Sequence, residues 1–189
     1  MLAVETGVTL PIMESELAVQ VRAAREDDLG LLPVIQVAAG VAFRDIGMAA
    51  IAGAAPLPGP VLAAYQQAGR AWVAVAGEDI PVGFIVVDLI DGRAHVEQVS
   101  VHPDHAGRGI GGMLIDHVDR WAAERGMGSL SLVTFRAVPW NGPYYARLGF
   151  REMAPEEIAA GLAAVLDEEA AHGIDPAARV CMCRATSAR

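Results

Sequence analysis

The feature that most constrains this chain is a glycine-rich junction within residues 99–114, VSVHPDHAGRGIGGML. An alternating apolar and polar stretch precedes it and an amphipathic stretch follows it, which predicts a strand, a tight turn and a helix that begins at the glycines. The first N–H groups of a helix lack partners within the helix, and the helix dipole favours negative charge there. The junction therefore predicts a ligand that carries phosphate. The glycines of the junction, which have no side chain to shield the backbone, are Gly107, Gly109, Gly111 and Gly112.

Length and charge narrow the class of protein. The 189 residues predict a flexible leader over residues 1–17 and a single domain over residues 18–189. The net charge of −9 argues against nucleic acid or an anionic membrane surface as a partner and is compatible with a cationic substrate. The uncharged run over residues 46–69 contains three prolines, so we expect no membrane span there.

Cysteine and histidine usage gives two further expectations. Cys181 and Cys183 would share one face of a strand, where they are poorly placed to bridge each other. We therefore expect buried, reduced thiols, which fit a reducing compartment and a cytoplasmic location. No second cluster of Cys and His supplies a metal-binding set, so no metal is predicted.

The remaining pattern predicts an α/β (α+β) fold with a mixed, mostly antiparallel sheet of six or seven strands and helices on both faces. Asp91-Gly92 marks a hairpin between two of the strands. The stretch over residues 47–60 is expected to be a loop or a broken helix, and the role of residues 46–60 is expected to be that of a lid or a surface loop. Predicted strands cover residues 19–23, 71–76, 82–90, 93–101, 129–134, 149–153 and 179–184. Predicted helices cover residues 29–43, 61–68, 110–125, 143–148 and 155–171. The expected inward side chains are Leu29, Leu32, Ile35 and Val37 of the first helix and Ile158, Leu162, Val165 and Leu166 of the last.

The glycines also match G-x-G-x-x-G, the dinucleotide fingerprint of Rossmann folds. That fingerprint follows a buried apolar strand, whereas the strand before this junction contains His95, Glu97, Gln98 and Ser100. It also ends an antiparallel meander rather than belonging to a series of βαβ units. A dinucleotide site is disfavoured, and a glycine turn without any ligand stays open as an alternative.

Two motifs together resemble the GNAT acetyltransferase superfamily. V-x-V-H-P-x-x-x-G-R-G-I-G-G-M-L is similar to its acetyl-CoA motif, and WNGPYYARLGF over residues 140–150 is similar to its next motif. The resemblance implies that the strands over residues 93–101 and 129–134 splay apart and that acetyl-CoA serves as co-substrate. The chain departs from the pattern at Ala106, where the superfamily has Gln or Arg. The cofactor-binding residues that the resemblance implies are Val99, Ser100, Val101, Gly107, Arg108, Gly109, Ile110, Gly111, Gly112 and Asn141.

The implied reaction is direct attack of an amine on the acetyl thioester, for which Glu97 is the candidate base and Tyr145 the candidate acid. Glu97 would share a face with Val99 and Val101 in plain alternation, unless a bulge intervenes. Tyr145 stands five residues before Phe150, where the superfamily has its tyrosine. Its neighbour Tyr144 is expected in the core or in the substrate wall.

The acceptor is expected to be a primary amine, on a small molecule or on a peptide or protein, and a homodimer is possible. A non-catalytic module that binds or senses acyl-CoA is the alternative from another class. His102 and His105 are expected to be plain loop histidines. Side chains that family topology places near the acceptor are Phe43, Arg44, Asp45, Arg136 and Trp140.

Overall fold

A computed structural model describes residues 19–187, so the predicted leader over residues 1–17 lies outside the described residues. Its centre is a seven-stranded sheet in the order β1-β2-β3-β4-β5-β7-β6, in which only the β4–β5 pair is parallel. The predicted mixed, mostly antiparallel sheet is confirmed. The strands are Gln20–Ala23 (β1), Ala71–Ala76 (β2), Ile80–Ile90 (β3), Arg93–Val101 (β4), Ser129–Phe135 (β5), Arg151–Glu152 (β6) and Arg179–Ala185 (β7). The helices are Leu32–Gly40 (α1), Ala49–Ala52 (α2), Gly59–Gln67 (α3), Ile110–Glu124 (α4), Gly142–Arg147 (α5) and Ala160–Ala171 (α6).

Each face of the sheet has its own apolar core. On one face α4 packs Ile110, Leu114 and Val118 against both halves of the sheet, because its apolar residues recur at helical spacing. On the other face α1 and α3 bury Leu32, Ile35 and Leu62, and α6 covers a smaller cluster around Cys181 and Cys183. Both cysteines are buried free thiols, as predicted.

The β3–β4 hairpin also fixes the position of α6. Asp91 and Gly92 both have positive φ, 51° and 75°, as a two-residue hairpin turn requires. The Asp91 carboxylate then accepts hydrogen bonds from the backbone N–H groups of Gly161 and Leu162, each 3.0 Å long. These are unpartnered donors at the start of a helix, so the hairpin turn anchors α6 beside the sheet.

The central strands diverge as the resemblance implied. Residues 94–96 of β4 pair with residues 130–132 of β5, and those are the pairs between the two strands in the described part of the chain. β4 continues to pair with β3 up to Val101, while β5 continues to pair with β7 up to Phe135. The gap between β4 and β5 therefore leaves main-chain groups of both strands unpaired on the facing side.

A bulge changes the face on which Glu97 lies, so the expectation from plain alternation is wrong. Val86 pairs with Gln98 but Val87 pairs with Val96, which leaves Glu97 as the extra residue of β4. Val99 packs against the α4 core, whereas the surroundings of Glu97 are Asp88 and the carboxylates of α6 on the opposite face. The bulge turns Glu97 away from the side that carries Val99 and Val101.

Several helix boundaries differ from the predictions. The first helix is shorter, because 3-10 turns occupy Glu26–Asp28 and Val41–Ile46, and Val37 is exposed rather than inward. The last helix begins at Ala160, since Pro155–Glu157 forms a 3-10 turn and Ile158 is extended. Of its four expected inward residues only Leu162 is fully buried; the other three pack partly exposed beside it or against the cleft.

One helical stretch, Glu26–Ile46, is long and apolar enough to cross a membrane by length and composition alone. In the fold it is divided into 3-10 and α segments. Its start is tied to the sheet by the Asp28–Arg22 ion pair, with an O–N distance of 2.6 Å, and Leu32 and Ile35 lie in the core. Only 11% of the apolar window is buried, however, and Val34, Val37 and Val41 are exposed.

Candidate active site

A deep cleft of about 1540 Å³ opens where β4 and β5 diverge. One end of the cleft is the glycine junction, and its other end lies between β3, β4 and α6. Because the cleft follows the splay, it crosses the sheet and is lined by residues of both faces. Residues 51–57, with part of α2, line it too, and the short helix α2 agrees with the broken helix that was one of the two expected forms of residues 47–60.

At the glycine junction the backbone itself faces the cleft. Gly109 is the N-cap of α4 with φ of 76°, and Gly107 has φ of 73°. Residues that carry a side chain rarely adopt such a positive φ. The N-cap glycine has no side chain to cap α4, and the Tyr144 hydroxyl lies by the Gly112 N–H. In the described structure it is therefore the N–H groups of Ile110 and Gly111 that stay available. A Cβ atom at Gly111 would lie 2.7 Å from the Tyr144 hydroxyl oxygen, so only glycine allows this close approach.

The predicted cofactor residues are mostly, but not all, brought together. Gly107, Gly109, Ile110 and Gly111 line the cleft, as do Val99, Ser100 and Val101 of β4. Gly112 instead packs toward Leu148. Arg108 is exposed and donates to the backbone oxygen of Asp104 at 3.1 Å. The departure from the family pattern, Ala106, also lines the cleft.

Glu97 lines the cleft directly after Val96, the last residue of β4 that pairs with β5. Its side chain reaches solvent, yet the cleft walls surround it, and this partial burial raises the pKa of its carboxyl group. Nearby Asp88, Glu169 and Glu168 raise that pKa further, while Arg179 lowers it. Glu97 forms no ion pair with any residue in the described part of the chain. Its position in the cleft, its raised pKa and the absence of an ion pair in the described structure therefore suit the Glu97 carboxylate to accept a proton.

Tyr145 reaches the cleft from the α4 side of the sheet. Its ring packs edge-on against Phe150 and Tyr144, with centroid distances of 5.8 and 5.5 Å, and only 8% of the residue is exposed. Burial raises the pKa of its hydroxyl group above the usual value, so the group keeps its proton at neutral pH. Tyr144 lines the cleft beside Gly111, which agrees with its expected place in the wall.

Asn141, the residue before α5, lines the cleft, and its side chain does not cap that helix. Its amide nitrogen donates to the Thr134 hydroxyl at 2.9 Å, and it makes no side-chain bond to the start of α5. The side-chain oxygen is buried and has no partner in the described structure. Asn141 therefore links the loop before α5 to the end of β5, at the edge of the splay.

The residues expected near the acceptor divide into two groups. Phe43 and Trp140 line the cleft and meet edge-on, with ring centroids 5.5 Å apart. Arg136 is ion-paired to Glu152, outside the cleft. Arg44 and Asp45 do not line the cleft either. Phe135, which sequence reasoning missed, packs against Phe43 at 5.7 Å and completes an aromatic wall.

The far end of the cleft contains further polar residues that sequence reasoning missed. His95 is 2% exposed, and its Nδ1 lies 3.1 Å from the Ser131 hydroxyl oxygen. Burial lowers the pKa of His95 to about 4, so its ring is neutral at pH 7. Glu168 and Glu169 of α6 approach from the opposite wall. Alternation along β4 could have placed His95 near Glu97, but no sequence signal shows that α6 returns here.

The loop histidines differ in their surroundings. His102 is the N-cap of a 3-10 turn, and its Nδ1 accepts from the Asp104 backbone N–H at 3.3 Å. His105 lines the cleft, and its Nδ1 is buried without a partner in the described structure. Across residues 19–187 no group of three His, Cys, Asp or Glu is suited to a metal ion; the absence of a metal stays a prediction.

Sequence relatives match part of the chain. A streptothricin acetyltransferase of Streptomyces lavendulae is 36% identical over 86 residues, which are 43% of this chain and 44% of that protein. A peptidyl-lysine N-acetyltransferase of Salmonella typhimurium is 33% identical over 87 residues, 46% of this chain and 54% of that protein. The chain therefore spans about half the length of the curated relatives it matches.

Solved structures share the fold over nearly the whole chain. The ribosomal-protein-S18-alanine N-acetyltransferase of Escherichia coli superposes with a TM-score of 0.62 and 16% identity, covering 91% of this chain and 96% of that one. The PaiA N-acetyltransferase of Thermoplasma acidophilum, solved in complex with coenzyme A, superposes with a TM-score of 0.63 and 13% identity. The match covers 89% of this chain and 99% of that one. At this identity the likeness concerns the fold alone.

A family model described as acetyltransferase (GNAT) family matches residues 48–150, more than half of the chain. The match includes the strand before the glycine junction, the junction itself and Tyr145. With the splayed strands and the open start of α4, this match shows that the chain belongs to the GNAT acetyltransferase family.

Proposed function

We propose that this protein is an N-acetyltransferase that transfers an acetyl group from acetyl-CoA to a primary amine of a small molecule. One observation carries the proposal. Glu97 and Tyr145 reach the same cleft from opposite faces of the sheet, where β4 and β5 diverge. A proton acceptor and a proton donor thus flank the place where a thioester and an amine would meet.

The residues present fit acetyl-CoA. The exposed amides at the start of α4 suit its pyrophosphate, because bare N–H groups and the helix dipole both favour an anion. The unpaired main-chain groups of Val99 and Val101 suit an extended amide-bearing arm, which needs donors and acceptors at strand spacing. Acetyl-CoA supplies the reactive acetyl thioester when bound.

Glu97 accepts the proton that the amine must lose. An alkylamine with a pKa of about 10.4 pays about 4–5 kcal/mol to be neutral at pH 7, so a nearby base lowers this cost. The raised pKa of Glu97 makes its carboxylate a stronger base than that of an exposed glutamate. The bulge matters because it aims Glu97 at the side of the sheet where α6 forms the opposite wall.

Tyr145 holds a proton at its hydroxyl oxygen. Its raised pKa keeps that proton in place, so Tyr145 can donate a hydrogen bond to the departing thiolate sulfur, which is a weaker base than tyrosinate. A thiol with a pKa near 8.5 leaves well without help, so we expect Tyr145 to contribute less than Glu97.

A small-molecule acceptor suits the confinement of the cleft. The aromatic wall of Phe43, Phe135 and Trp140 stands on one side of Glu97, and α6 stands on another. A long peptide would have to pass between the aromatic wall and α6 to reach Glu97. Buried free thiols at Cys181 and Cys183 support a cytoplasmic location, which we propose together with the activity.

The test combines binding and turnover. The full chain is titrated with acetyl-CoA by calorimetry and then incubated with acetyl-CoA and a panel of small primary amines and lysine peptides, with released thiol as the readout. Acetylation of at least one small amine is the expected result. Turnover confined to peptides would instead favour a protein acetyltransferase.

Acetyl-CoA binding without turnover of any amine or peptide would favour the second class, a module that senses acyl-CoA. Ala106 is the observation that keeps this class in view, because it supplies no side-chain donor at the glycine junction. If the protein did not bind acetyl-CoA at all, both the N-acetyltransferase and the acyl-CoA-sensing module would be refuted.

A further inference from the structure

The Tyr144 hydroxyl lies at the open start of α4, although Tyr144 belongs to α5. A Cβ atom at Gly111 would lie 2.7 Å from the hydroxyl oxygen, and a Cβ atom at Gly112 would lie 3.9 Å from it. The same oxygen lies by the Gly112 N–H, and both Tyr144 and Gly111 line the cleft. The glycine junction therefore has a hydroxyl group beside its first amides, contributed by a later part of the chain.

The proton of this hydroxyl has no acceptor in the described part of the chain. The hydroxyl lies by a donor, the Gly112 N–H, and within residues 19–187 no carbonyl or carboxylate accepts from Tyr144. Asp116 of α4, the acid whose charge acts on Tyr144, is engaged by Arg184 at 3.2 Å. Partial burial raises the pKa of Tyr144, so the hydroxyl keeps its proton at neutral pH. The wall of the cleft thus holds a donor that has no acceptor.

Arg147 adds a positive charge to the same wall. The carbon of its guanidinium group lies 5.9 Å from the centroid of the Tyr144 ring, and the exposed residue lines the cleft. No ion pair within residues 19–187 includes Arg147. The wall that α5 presents to the glycine junction is therefore a hydroxyl donor beside an unpaired cation. Both groups favour an anion between α5 and the start of α4.

The lack of a side chain at Gly111 makes the approach of the hydroxyl possible. A Cβ atom there would meet the hydroxyl oxygen at 2.7 Å and the ring carbon that carries it at 3.5 Å, so the Tyr144 ring would have to shift. Tyr145 packs edge-on against that ring, with centroids 5.5 Å apart, and limits the shift. Gly111 therefore serves the hydroxyl as well as the backbone.

We propose that the Tyr144 hydroxyl is a side-chain ligand for the pyrophosphate of acetyl-CoA, and that it supplies the donor that Ala106 does not. This inference rests on the proposed function and assigns to its co-substrate a side chain outside the glycine junction. The hydroxyl donates to a phosphate oxygen beside the free N–H groups of Ile110 and Gly111. The Gly112 N–H, placed behind the hydroxyl oxygen, polarises it and strengthens the outward bond.

The experiment measures the binding of three ligands to the full chain. Coenzyme A carries the pyrophosphate and a ribose phosphate, dephospho-coenzyme A keeps the pyrophosphate alone, and pantetheine ends before it. Calorimetry gives the dissociation constants of the first two, and ligand-observed NMR gives that of pantetheine. Tyr144→Phe removes the hydroxyl and keeps the ring. Both nucleotides should bind about tenfold more weakly, since a hydrogen bond to an anion is lost, and pantetheine should bind as to the wild type.

Tyr65→Phe is the matched control, because it removes a hydroxyl from the other end of the cleft, where Tyr65 donates to Asp88 of β3 at 2.7 Å. That acidic end is lined by Asp88, Glu97, Glu168 and Glu169. All three ligands should bind this variant as they bind the wild type. The melting temperature of each variant reports on its folding.

Ala106→Gln sharpens the test by returning a side-chain donor to the glycine junction. Added to Tyr144→Phe, it should recover most of the lost affinity for coenzyme A. In the wild type it should change that affinity less, because the Tyr144 hydroxyl already serves the anion. Equal effects in the two backgrounds would contradict the replacement of one donor by the other.

An affinity for coenzyme A that Tyr144→Phe leaves unchanged would overturn the inference. An equal loss for pantetheine would also overturn it, because the hydroxyl would then act through the shape of the cleft. A loss confined to coenzyme A would instead assign the hydroxyl to the ribose phosphate and reject the pyrophosphate. In each case the wild type still binds coenzyme A and acetylates amines, whereas failure of the proposed function is seen in the wild type itself.

Discussion

The two ends of the cleft are built in different ways. The glycine end is made of backbone from one continuous stretch, with two positive-φ glycines and the open start of α4. The acidic end is made of side chains from β3, β4 and α6, which are brought together from residues 88–169. The glycine end is suited to a ligand shared by the family, whereas the acidic end is free to vary with the acceptor. Substitutions at each end should therefore affect different ligands.

The largest effect is expected for Glu97→Gln, which removes the proton acceptor without changing side-chain size. We expect kcat to fall about 10²–10³-fold at pH 7, the usual range for loss of a general base. Affinity for acetyl-CoA, measured by calorimetry, should stay within twofold, because Glu97 lies beyond the glycine end. Glu124→Gln, on the exposed end of α4, is the control.

The pH profile sharpens the same test. The pKa of Glu97 is raised, so kcat/KM should increase with pH through a value above the usual glutamate pKa of about 4.3. Below that pH the carboxylate is protonated and activity is lost. If the acidic limb persists unchanged in Glu97→Gln, another group is the base.

Tyr145→Phe should have the second largest effect. It removes the proton at the hydroxyl oxygen but keeps the ring that packs on Phe150. We expect a decrease in kcat of roughly 10–100-fold, at the low end of acid–base effects, because a thiolate is already a good leaving group. Steady-state rates with acetyl-CoA and a fixed amine give the value, and the melting temperature reports on folding. A rate equal to that of the wild type would remove Tyr145 from the reaction.

Gly109→Ala tests the glycine end alone. Forcing a Cβ onto a residue with φ of 76° costs about 1–2 kcal/mol and shifts the first amides of α4. We expect about tenfold weaker binding of CoA with little change in KM for the amine. Gly128→Ala, where a Cβ would meet nothing within 4 Å and φ is not positive, is the matched control. Comparable losses for both ligands would mean that the two ends are not separate.

The smallest effect is expected for Asp91→Asn, which tests the acidic end from outside the cleft. Asparagine tolerates the positive φ but weakens the bonds to Gly161 and Leu162. We expect a loss of about 1 kcal/mol of unfolding free energy and a two- to threefold rise in KM for the amine. Denaturant unfolding and amine kinetics measure these values, with Asp27→Asn as the exposed control. Unchanged amine kinetics would show that α6 does not need this anchor.

The contrast also explains what the sequence could and could not predict. Glycine spacing, the Asp91-Gly92 turn and strand alternation are local signals, so the sheet and the glycine end were predictable from them, whereas the splay was implied only by the resemblance to the GNAT superfamily. The bulge at Glu97 depends on how β3 pairs with β4, and no residue in β4 marks it. The position of His95 and Glu168 in one wall depends on the return of α6 over the sheet, which is a long-range contact. The 3-10 turn at Pro155–Glu157 shortened α6 against a helical pattern that continues through it.

The divergence of β4 from β5 has a mechanical consequence. With three residue pairs between them, β1–β4 and β5–β7 are two half-sheets joined mainly through the α4 core. A ligand that binds between β4 and β5 would contact both half-sheets and so couple their stability. Such a ligand stabilises the folded protein by about 2.7 kcal/mol at one hundred times its dissociation constant. Amide exchange at residues 97–101 and 133–135 should therefore slow when acetyl-CoA is added, and the halves should unfold as one unit.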